Sequence, residues 1–335
     1  MQAECLGCHR VRRDLEPYCP DCGSVYDLKP DFSYRDKIQQ NFPYVSKLIE
    51  LGEVETPILK ADSFMAKLDY FQPTYSYKDR GSRILLSYLL EKTGGSVTVN
   101  EDSSGNAGAS IAAYSAAAGM RARIFVSRNS MKSKLEQIRA YGAEVVEIDG
   151  TREEVSSAAK RAPGIYVGHS YWPEFRDGIR TLAYEIFRQC GPSMPDSIYV
   201  PLSAGTLYLG LVRGLEHLVS SGEIDAVPKI ITVQPELNSP ICSELDGVGR
   251  NYGHSIADAL VTRNSPLKDL IIDEIRKYGL CISVTDDEII GARNSLALKG
   301  VLAEYSSATV YAALRKKRIG NKPMIVLTGN GLKTL

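Results

Sequence analysis

Residues 73–81 read PTYSYKDRG and contain one lysine, Lys78, at the point where a half-apolar segment meets the start of a helical pattern. An ammonium group that is buried at such a junction needs a partner, because burying an unpaired charge is costly. The chemistry available to Lys78 therefore depends on the groups that other segments of the chain bring to it.

One candidate partner is the segment NEDSSGNAGAS at residues 100–110, which follows an apolar run and opens onto an alanine-rich helical pattern. Backbone N–H groups at a helix start, together with Ser103, Ser104 and Asn106, form a cradle suited to a carboxylate. The same Ser-Gly-Asn sequence is also typical of an ordinary helix cap and turn. On its own this loop leaves both interpretations open.

Two further loops follow strand-like runs, PLSAGTLYLG at residues 201–210 and LTGNGLK at 327–333. The first is not a P-loop, because the chain has no GxxxxGK[ST] sequence, but its small residues let backbone amides close around a phosphate. Those residues are Ser203, Ala204, Gly205 and Thr206. Ligands of parallel sheets bind at loops that leave the carboxyl ends of strands. Together the loops predict a phosphate pocket and a carboxylate pocket that Lys78 would face.

Four of the seven cysteines form two C-x2-C pairs near the N-terminus, Cys5 with Cys8 and Cys19 with Cys22. This spacing suits one tetrahedral zinc ion, and four cysteines close its coordination shell, so the metal would be structural. A ribbon of this size cannot bury a core, and the metal would supply its folding energy. Two disulfides, or a site that has lost its metal, are the alternatives; disulfides are disfavoured in a cytoplasmic chain.

Composition excludes several classes of protein. Lys+Arg and Asp+Glu both count 40, so the balanced charge argues against a protein that coats nucleic acid or an anionic membrane. No apolar run approaches the roughly 20 residues of a membrane span, and MQAECLGCHR has no apolar signal region. We expect a cytoplasmic protein. The remaining cysteines are expected to be small buried hydrophobic residues; they are Cys190, Cys242 and Cys281.

The elements that must position these groups alternate between strand-like apolar runs and helical patterns. The predicted strands are 96–100, 122–127, 143–148, 164–168, 197–201, 229–234 and 323–328, and the predicted helices include 107–118, 132–142 and 177–190. Near-continuous apolar strands separated by helices indicate parallel sheets covered on both faces. The fold class is therefore predicted to be α/β.

Taken in order, these segments resemble the threonine synthase family, pyridoxal-phosphate enzymes of the tryptophan-synthase-β fold type. The resemblance runs from about Thr56 to Lys333 and has supporting similarity in QIRAYGAEV and AEYSSAT. Its main blocks are PTYSYKDRG, SSGNAGAS, PLSAGTLYLG and VLTGNGLK. The cysteine-rich segment also looks like a zinc ribbon seen on archaeal members of the family.

The resemblance implies a role for each matching position. Lys78 would form the Schiff base with pyridoxal phosphate and act as the catalytic base, because only a primary amine can hold the aldehyde, exchange it and then carry a proton. Asn106 would bind the ring oxygen of the cofactor, and Thr328 would face its pyridine nitrogen. Its phosphate would be held by the backbone of Ser203, Ala204, Gly205, Thr206 and Leu207. The substrate would be bound by Ser103, Ser104, Asn106, Ala107, Ser170 and Arg176.

One stretch departs from the family pattern. Threonine synthases carry an asparagine-serine-x-asparagine-proline segment followed by an arginine that grips the substrate phosphate. The matching stretch here is HSYWPEFRDGIRT, with His169 and Trp172 in place of the asparagines and Phe175 in place of the arginine. Arg176 follows directly, and a shift of one residue in a loop can be absorbed. The aromatic residues can equally reshape the pocket or pack the small domain.

Several functions are therefore predicted, in order of preference. The first is the conversion of O-phosphohomoserine and water to threonine and phosphate. The next are a β-replacement on O-phosphoserine, as in cysteate or cysteine synthase relatives, and a serine/threonine ammonia-lyase reaction. An inactive binding module that acts through its zinc ribbon is the least favoured, because such a protein has no need for the lysine and the loops. In each enzymatic case the substrate is a small amino acid.

The resemblance also implies an architecture, the pyridoxal-phosphate fold type II. It consists of two three-layer αβα domains with parallel sheets and an active site between them, plus a small N-terminal zinc ribbon. We expect the ribbon at 1–30, a large cofactor-binding domain at 31–90 and 183–335, and a small inserted domain at 91–182. The family also implies a homodimer.

Overall fold

The computed structural model describes residues 1–61, 63–128, 130, 132–249 and 252–334. Its strands are β1 (Ala3–Cys5), β2 (Tyr26–Leu28), β3 (Ile58–Lys60), β4 (Met65–Leu68), β5 (Thr98–Glu101), β6 (Arg121–Ser127), β7 (Glu144–Ile148), β8 (Ile165–Tyr166), β9 (Ser197–Pro201), β10 (Lys229–Pro235), β11 (Gly279–Val284) and β12 (Pro323–Leu327). Its α-helices are α1 (Lys78–Thr93), α2 (Asn106–Ala117), α3 (Lys132–Ala140), α4 (Arg152–Arg161), α5 (Pro173–Cys190), α6 (Thr206–Ser220), α7 (Pro240–Asp246), α8 (Lys268–Tyr278), α9 (Asp286–Ala297) and α10 (Tyr305–Lys316). Short 3-10 helices cover Ile38–Asn41 and Gly331–Thr334.

Contacts along the backbone divide the chain into two compact units. Unit 1 comprises Met1–Glu53 and Lys78–Ile179, and unit 2 comprises Val54–Tyr77 and Arg180–Leu335. This grouping differs from the expected domains in two respects: it joins residues 1–53 and 78–90 to the unit with the inserted sheet, and it places residues 180–182 in unit 2. The expected domain boundaries stay a prediction, and Leu335, the expected end of the large domain, lies outside the described residues.

Unit 1 contains a small antiparallel ribbon and a parallel sheet. In the ribbon, β1 pairs with β2, and Cys5, Cys19 and Tyr26 lie in its small core. In the described residues the parallel sheet has the order β7-β6-β5-β8. Helix α4 begins with a capping box, in which Thr151 and Glu154 each bond the backbone N–H of the other, so its first turn is satisfied from within the chain.

Unit 2 contains a larger sheet with the order β11-β10-β9-β12-β4-β3 in the described residues. Every neighbouring pair is parallel except β3 with β4. All residues of β9 and β12 are buried, which explains why both read as continuous apolar runs in the sequence. The α/β class with parallel sheets is confirmed, and the antiparallel edge strand β3 was not anticipated.

A buried lysine in unit 2 illustrates a purely structural ion pair. Lys67 on β4 is fully buried, and its Nζ lies 2.6 Å from Glu185 Oε1 and 2.7 Å from Gln189 Oε1. It also donates to the carbonyl oxygen of Thr56 at 2.6 Å. These acceptors compensate for the desolvation of the ammonium group, so Lys67 stabilises the junction of β4 with α5.

Two of the cysteines that were expected to be isolated are bonded to each other. Cys242 at the start of α7 and Cys281 on β11 form a disulfide, so the expectation of three free hydrophobic thiols is wrong for this pair. The physical reason is the sheet: α7 follows β10, and β11 is the neighbour of β10. Cys190 is a free thiol and is partly exposed. Among the described residues, none of the helices combines the length and the apolar character that a membrane crossing requires.

Candidate active site

Lys78 is the first residue of α1 and is partly buried. Asp79 follows it in the first turn, where a carboxylate complements the helix dipole. The first turns of α1 pack against the start of α5 through glycines. A Cβ atom at Gly81 would overlap the ring of Phe175, and one at Gly178 would overlap the carbonyl oxygen of Arg80. The glycine of the KDRG sequence therefore allows Phe175 to lie beside the lysine.

The segment that precedes Lys78 is bonded to the TGNG segment within unit 2. Tyr77 N–H donates to the carbonyl oxygen of Thr328 at 3.0 Å, and Asn330 N–H donates to that of Tyr75 at 3.2 Å. Tyr75 has φ 62°, an uncommon value for a residue with a Cβ. Thr328 is buried, and its N–H donates to Ser307 Oγ at 2.7 Å. Two of the motif blocks noted in the sequence, and the AEYSSAT segment, are therefore joined.

The SSGNAGAS segment forms a tight turn into α2 in unit 1. Ser103 and Ser104 lie in the turn, and α2 begins at Asn106 after an N-cap at Gly105. A Cβ at Gly108 would overlap the carbonyl oxygen of Ser103, so the first turn of the helix closes directly onto the loop. Ala107, in that first turn, is buried. Gly105 has no side chain that could cap the helix.

The PLSAGT segment leads from β9 into α6 in unit 2. Gly205 is the N-cap and has φ 93°, a value that favours glycine. Ser203 Oγ donates to Thr262 Oγ1 at 2.9 Å, and Ser265 Oγ donates to the carbonyl oxygen of Ala204 at 2.8 Å. Residues 262–265 thus fix the loop ahead of Thr206 and Leu207, which open the helix.

The two glycine-capped helices are suited to anionic groups. The first N–H groups of any helix have no partner within the helix, and at α4 and α9 the side chain of the N-cap threonine accepts one of them. At α2 and α6, no side-chain cap bond is formed by the described residues. The residues present therefore fit a phosphate at α6 and a carboxylate at α2. The predicted set is divided, with Lys78 and the α2 loop in unit 1 and the α6 loop with Thr328 in unit 2.

Arg176 lies in unit 1 and is directed toward the ribbon. Its guanidinium donates to the carbonyl oxygen of Tyr26, lies 3.6 Å from Asp27 Oδ1, and donates to the carbonyl oxygen of Ser170 at 3.3 Å. The side chain is only 4% exposed. These contacts make Arg176 a bridge between β2 and the loop that carries Ser170, and its expected contact with substrate stays a prediction.

A carboxyl–imidazole pair near Lys78 was missed by the sequence reasoning. Glu101 ends β5, is fully buried, and has its Oε1 3.0 Å from Nδ1 of His169. Burial and then Asp102 raise the pKa of Glu101 well above its ordinary value, against the opposing effects of Arg152 and Lys78. Burial, followed by the charges of Lys78 and Arg152, lowers the pKa of His169 well below its ordinary value. The signal in the sequence was the acidic pair directly before SSGN.

The four N-terminal cysteines converge on one point. Their sulfur atoms all lie within 4.8 Å of one another, with Cys5 Sγ 3.4 Å from Cys22 Sγ and Cys8 Sγ 3.6 Å from Cys19 Sγ. Tetrahedral zinc with Zn–S bonds of about 2.3 Å needs sulfurs about 3.8 Å apart. Burial raises the pKa of Cys19, but backbone N–H groups of Cys22 and Asp21 oppose this and lower it to about 6. The cluster can hold a tetrahedral metal ion.

Comparison with known proteins indicates the same class of enzyme, the pyridoxal-phosphate-dependent enzymes. The family model for pyridoxal-phosphate dependent enzymes matches residues 49–329. A threonine synthase of Methanocaldococcus jannaschii is 27% identical, and the match covers 99% of this chain and 93% of that protein.

Solved structures share the fold. A pyridoxal 5'-phosphate-dependent aspartate racemase has a TM-score of 0.74 at 23% identity, with 90% of this chain and 97% of that one covered. A fungal L-serine ammonia-lyase from Rhizomucor miehei has a TM-score of 0.73 at 19% identity, with 85% and 95% covered. The chain belongs to the family of pyridoxal-phosphate-dependent enzymes, so the expected cofactor and the type II fold are confirmed.

Proposed function

We propose that this pyridoxal-phosphate-dependent enzyme is a lyase that converts O-phosphohomoserine and water to threonine and phosphate. The observation that carries the proposal is the hydrogen bond between Tyr77, which directly precedes Lys78, and the backbone of Thr328. It joins the lysine block to the block expected at the pyridine nitrogen. The name of the M. jannaschii relative, threonine synthase, supports the same reaction.

The cofactor would be held by groups from several loops. Lys78 would bond its aldehyde carbon, Asn106 its ring oxygen and Thr328 its pyridine nitrogen. The backbone amides that open α6 would hold its phosphate, and they come from Ser203, Ala204, Gly205, Thr206 and Leu207. When bound, pyridoxal phosphate supplies an electron sink that stabilises negative charge at the substrate Cα.

The chain's own residues would then move protons and hold the substrate. The Lys78 amine takes the proton from Cα and acts as the base again at later steps. Ser103, Ser104, Asn106 and Ala107 bind the substrate carboxylate through the first turn of α2. Ser170 would contact the substrate side chain. We assign Arg176 a positioning role, because its bond to the carbonyl oxygen of Ser170 holds that loop while its other contacts hold the ribbon.

A second candidate is the elimination of water and ammonia from serine or threonine. The observation that favours it is the apolar Phe175 at the position where a phosphate-gripping arginine was expected, together with the direction of Arg176 toward Tyr26. A phosphate without a cation partner is poorly stabilised in a partly buried pocket, whereas a hydroxyl group carries no charge to neutralise.

We also propose that Cys5, Cys8, Cys19 and Cys22 bind one zinc ion with a structural role. The sulfur spacing supports it, and four thiolates leave no open position for substrate. Metal analysis of the purified protein should give one zinc per chain, and the Cys8→Ser variant should bind it weakly. A homodimer is a further proposal from the family resemblance, and sedimentation velocity tests it. The cytoplasmic location expected from the sequence also stays a proposal.

The function is tested by adding O-phosphohomoserine to the holoenzyme and measuring phosphate and threonine, with O-phosphoserine, L-serine and L-threonine in parallel. Steady threonine formation supports the first proposal. Pyruvate or 2-oxobutyrate from serine or threonine, without reaction of phosphohomoserine, supports the second. Lys78→Ala should abolish every reaction, whereas Lys92→Ala, an exposed lysine on the same helix, should retain it. Turnover by Lys78→Ala would contradict the assignment.

A further inference from the structure

Glu101 and His169 form a buried pair in which one carboxyl oxygen has no partner among the described residues. Most buried carboxyl oxygens in folded proteins have a hydrogen-bond partner. Glu101 is fully buried, its Oε1 meets His169 Nδ1 at 3.0 Å, and its Oε2 has no hydrogen-bond partner among the described residues. Keeping such a group buried costs stability that an apolar residue would not cost. An arrangement retained at this cost is typical of a functional site.

The geometry of the pair leaves one nitrogen for a ligand. Glu101 bonds Nδ1 and thereby fixes the imidazole ring. The His169 side chain is 14% exposed. Among the described residues, Nε2 has no hydrogen-bond partner, and it is not one of the fully buried atoms that lack one. A ring that is held through Nδ1 and accessible at Nε2 is the arrangement by which histidine transfers protons.

The pair lies close to Lys78 through one aromatic side chain. The Phe175 ring centroid is 5.8 Å from Lys78 Nζ and 5.6 Å from the His169 ring centroid. Phe175 is itself fixed, because it packs onto Gly81. The chain leads directly from Glu101 into the Ser103–Asn106 turn, so the pair and the expected carboxylate site share one strand end.

The charges around the pair favour a neutral form. The groups that act on Glu101 are Asp102 directly after β5, Arg152 on α4, Lys78 on α1 and the backbone of His169. The raised pKa of Glu101 and the lowered pKa of His169 both favour a protonated carboxyl beside a neutral imidazole. The pair then holds one proton that it can transfer.

We propose that Glu101 and His169 carry the proton of the water molecule that is added or lost at the substrate Cβ, with His169 as the catalytic residue and Glu101 as the positioning residue. This inference rests on the proposed function, in that Lys78 must be the reacting lysine. It applies to both candidate reactions, because water adds to Cβ in threonine formation and leaves Cβ in elimination from serine or threonine.

The proton balance is the same in both directions. In elimination, the Nε2 proton passes to the hydroxyl oxygen as the Cβ–O bond breaks and its electron pair goes to oxygen. The Glu101 proton moves to Nδ1, which leaves a neutral imidazole and a carboxylate. Addition starts from the other form of the pair, which is reached when Nε2 loses its proton to solvent and the Glu101 proton moves to Nδ1. The oxygen of water then bonds to Cβ, a water proton passes to Nε2, and the Nδ1 proton returns to Glu101, which restores the starting form.

The test compares leaving groups that do and do not need a proton. β-Chloroalanine loses chloride, whereas L-serine and L-threonine lose hydroxide and need a proton donor. In Glu101→Gln and His169→Gln holoenzyme, we expect kcat/KM for loss of water to fall by roughly 10²–10⁴-fold. For β-chloroalanine we expect a change of less than about threefold, since no proton transfer is removed. Asp149→Asn, an exposed carboxylate of the same unit, is the control.

Two further measurements on the same variants do not depend on turnover. Cofactor absorbance shows whether each variant still binds pyridoxal phosphate. Infrared difference spectra should show a protonated carboxyl band near neutral pH that Glu101→Gln lacks. Equal losses of kcat/KM for β-chloroalanine and serine in the variants would overturn the proposal. It would also be overturned if the wild-type enzyme processed β-chloroalanine but neither removed water from serine or threonine nor exchanged the threonine hydroxyl with labelled water. No threonine from O-phosphohomoserine and no 2-oxo acid from serine or threonine would instead overturn the proposed function and, with it, this inference.

Discussion

Arg12 of the cysteine-rich ribbon forms a buried ion pair with Glu174 in the first turn of α5. Their side chains are 6% and 1% exposed. The Arg12 guanidinium also lies 5.6 Å from the ring of Trp172 and 5.5 Å from that of Tyr88. Glu174 directly precedes Phe175, so the ribbon contacts the segment that lies beside Lys78. This relationship gives the ribbon a role in positioning that segment.

The Arg12→Ala variant should be much less stable than the wild type. Removing Arg12 leaves the Glu174 carboxylate buried without its partner, which costs about 3–5 kcal/mol. Arg13→Ala, at an exposed neighbouring position, should change the free energy of unfolding by no more than about 0.5 kcal/mol. Urea denaturation of both variants measures the difference. Similar effects for the two arginines would show that the ion pair contributes little.

Removal of the proposed zinc ion should be visible at Trp172, the only tryptophan of the chain. A metal-bound ribbon of this size would depend on its metal to fold, and its unfolding would withdraw Arg12 from the fully buried indole. We expect a strong chelator to shift the emission of Trp172 to longer wavelength and added zinc to reverse the shift. If the emission is unchanged after chelation has removed the metal, the folding of the ribbon does not affect the segment around Trp172.

His169 should make stability depend on pH. Its pKa is lowered in the folded protein by burial and then by the charges of Lys78 and Arg152, so below its ordinary value of about 6.5 the unfolded chain binds a proton that the folded chain does not. Stability is therefore lost as the pH falls below about 6.5, by up to about 1.4 kcal/mol per pH unit.

His169→Gln should remove this contribution, and His254→Gln, at an exposed position, should retain it. Denaturation of both variants and the wild type between about pH 5 and 7 tests the slope. A slope that is the same in His169→Gln as in the wild type would mean that the imidazole titrates normally.

The disulfide of unit 2 should stabilise the fold. Cys242 and Cys281 are 39 residues apart, and closing a loop of this length in the unfolded chain is worth about 3–4 kcal/mol. The double variant Cys242→Ser/Cys281→Ser should unfold at a lower temperature than Cys190→Ser, which alters a free thiol. Thiol counting by alkylation establishes the bond in the starting protein, and equal melting temperatures would contradict its contribution.

The features that sequence predicted depend on local pattern. The apolar strands β9 and β12 and the small-residue loops before α2 and α6 are visible because each is a contiguous run with a known conformational preference. The ion pair of Arg12 with Glu174 joins residues 162 positions apart, and no local pattern signals it. The same holds for Glu101 with His169, whose distance along the chain is 68 residues.

Arg176 shows what a local match leaves open. It stands one position from the expected arginine, and the sequence alone favours a shifted but equivalent contact. In the folded chain it reaches the carbonyl oxygen of Tyr26, because a ribbon 150 residues earlier packs against the start of α5. Whether an arginine meets substrate or protein is decided by tertiary packing, which motif spacing does not encode.

The most direct test of the central claim is to locate the lysine that bonds the cofactor. Holoenzyme treated with sodium borohydride retains the pyridoxyl group on that lysine, and mass spectrometry of its peptides identifies the residue. We expect the group on Lys78 and none on the buried Lys67, whose Nζ is bonded to Glu185, Gln189 and the carbonyl oxygen of Thr56. A pyridoxyl group on any lysine other than Lys78 would contradict the account.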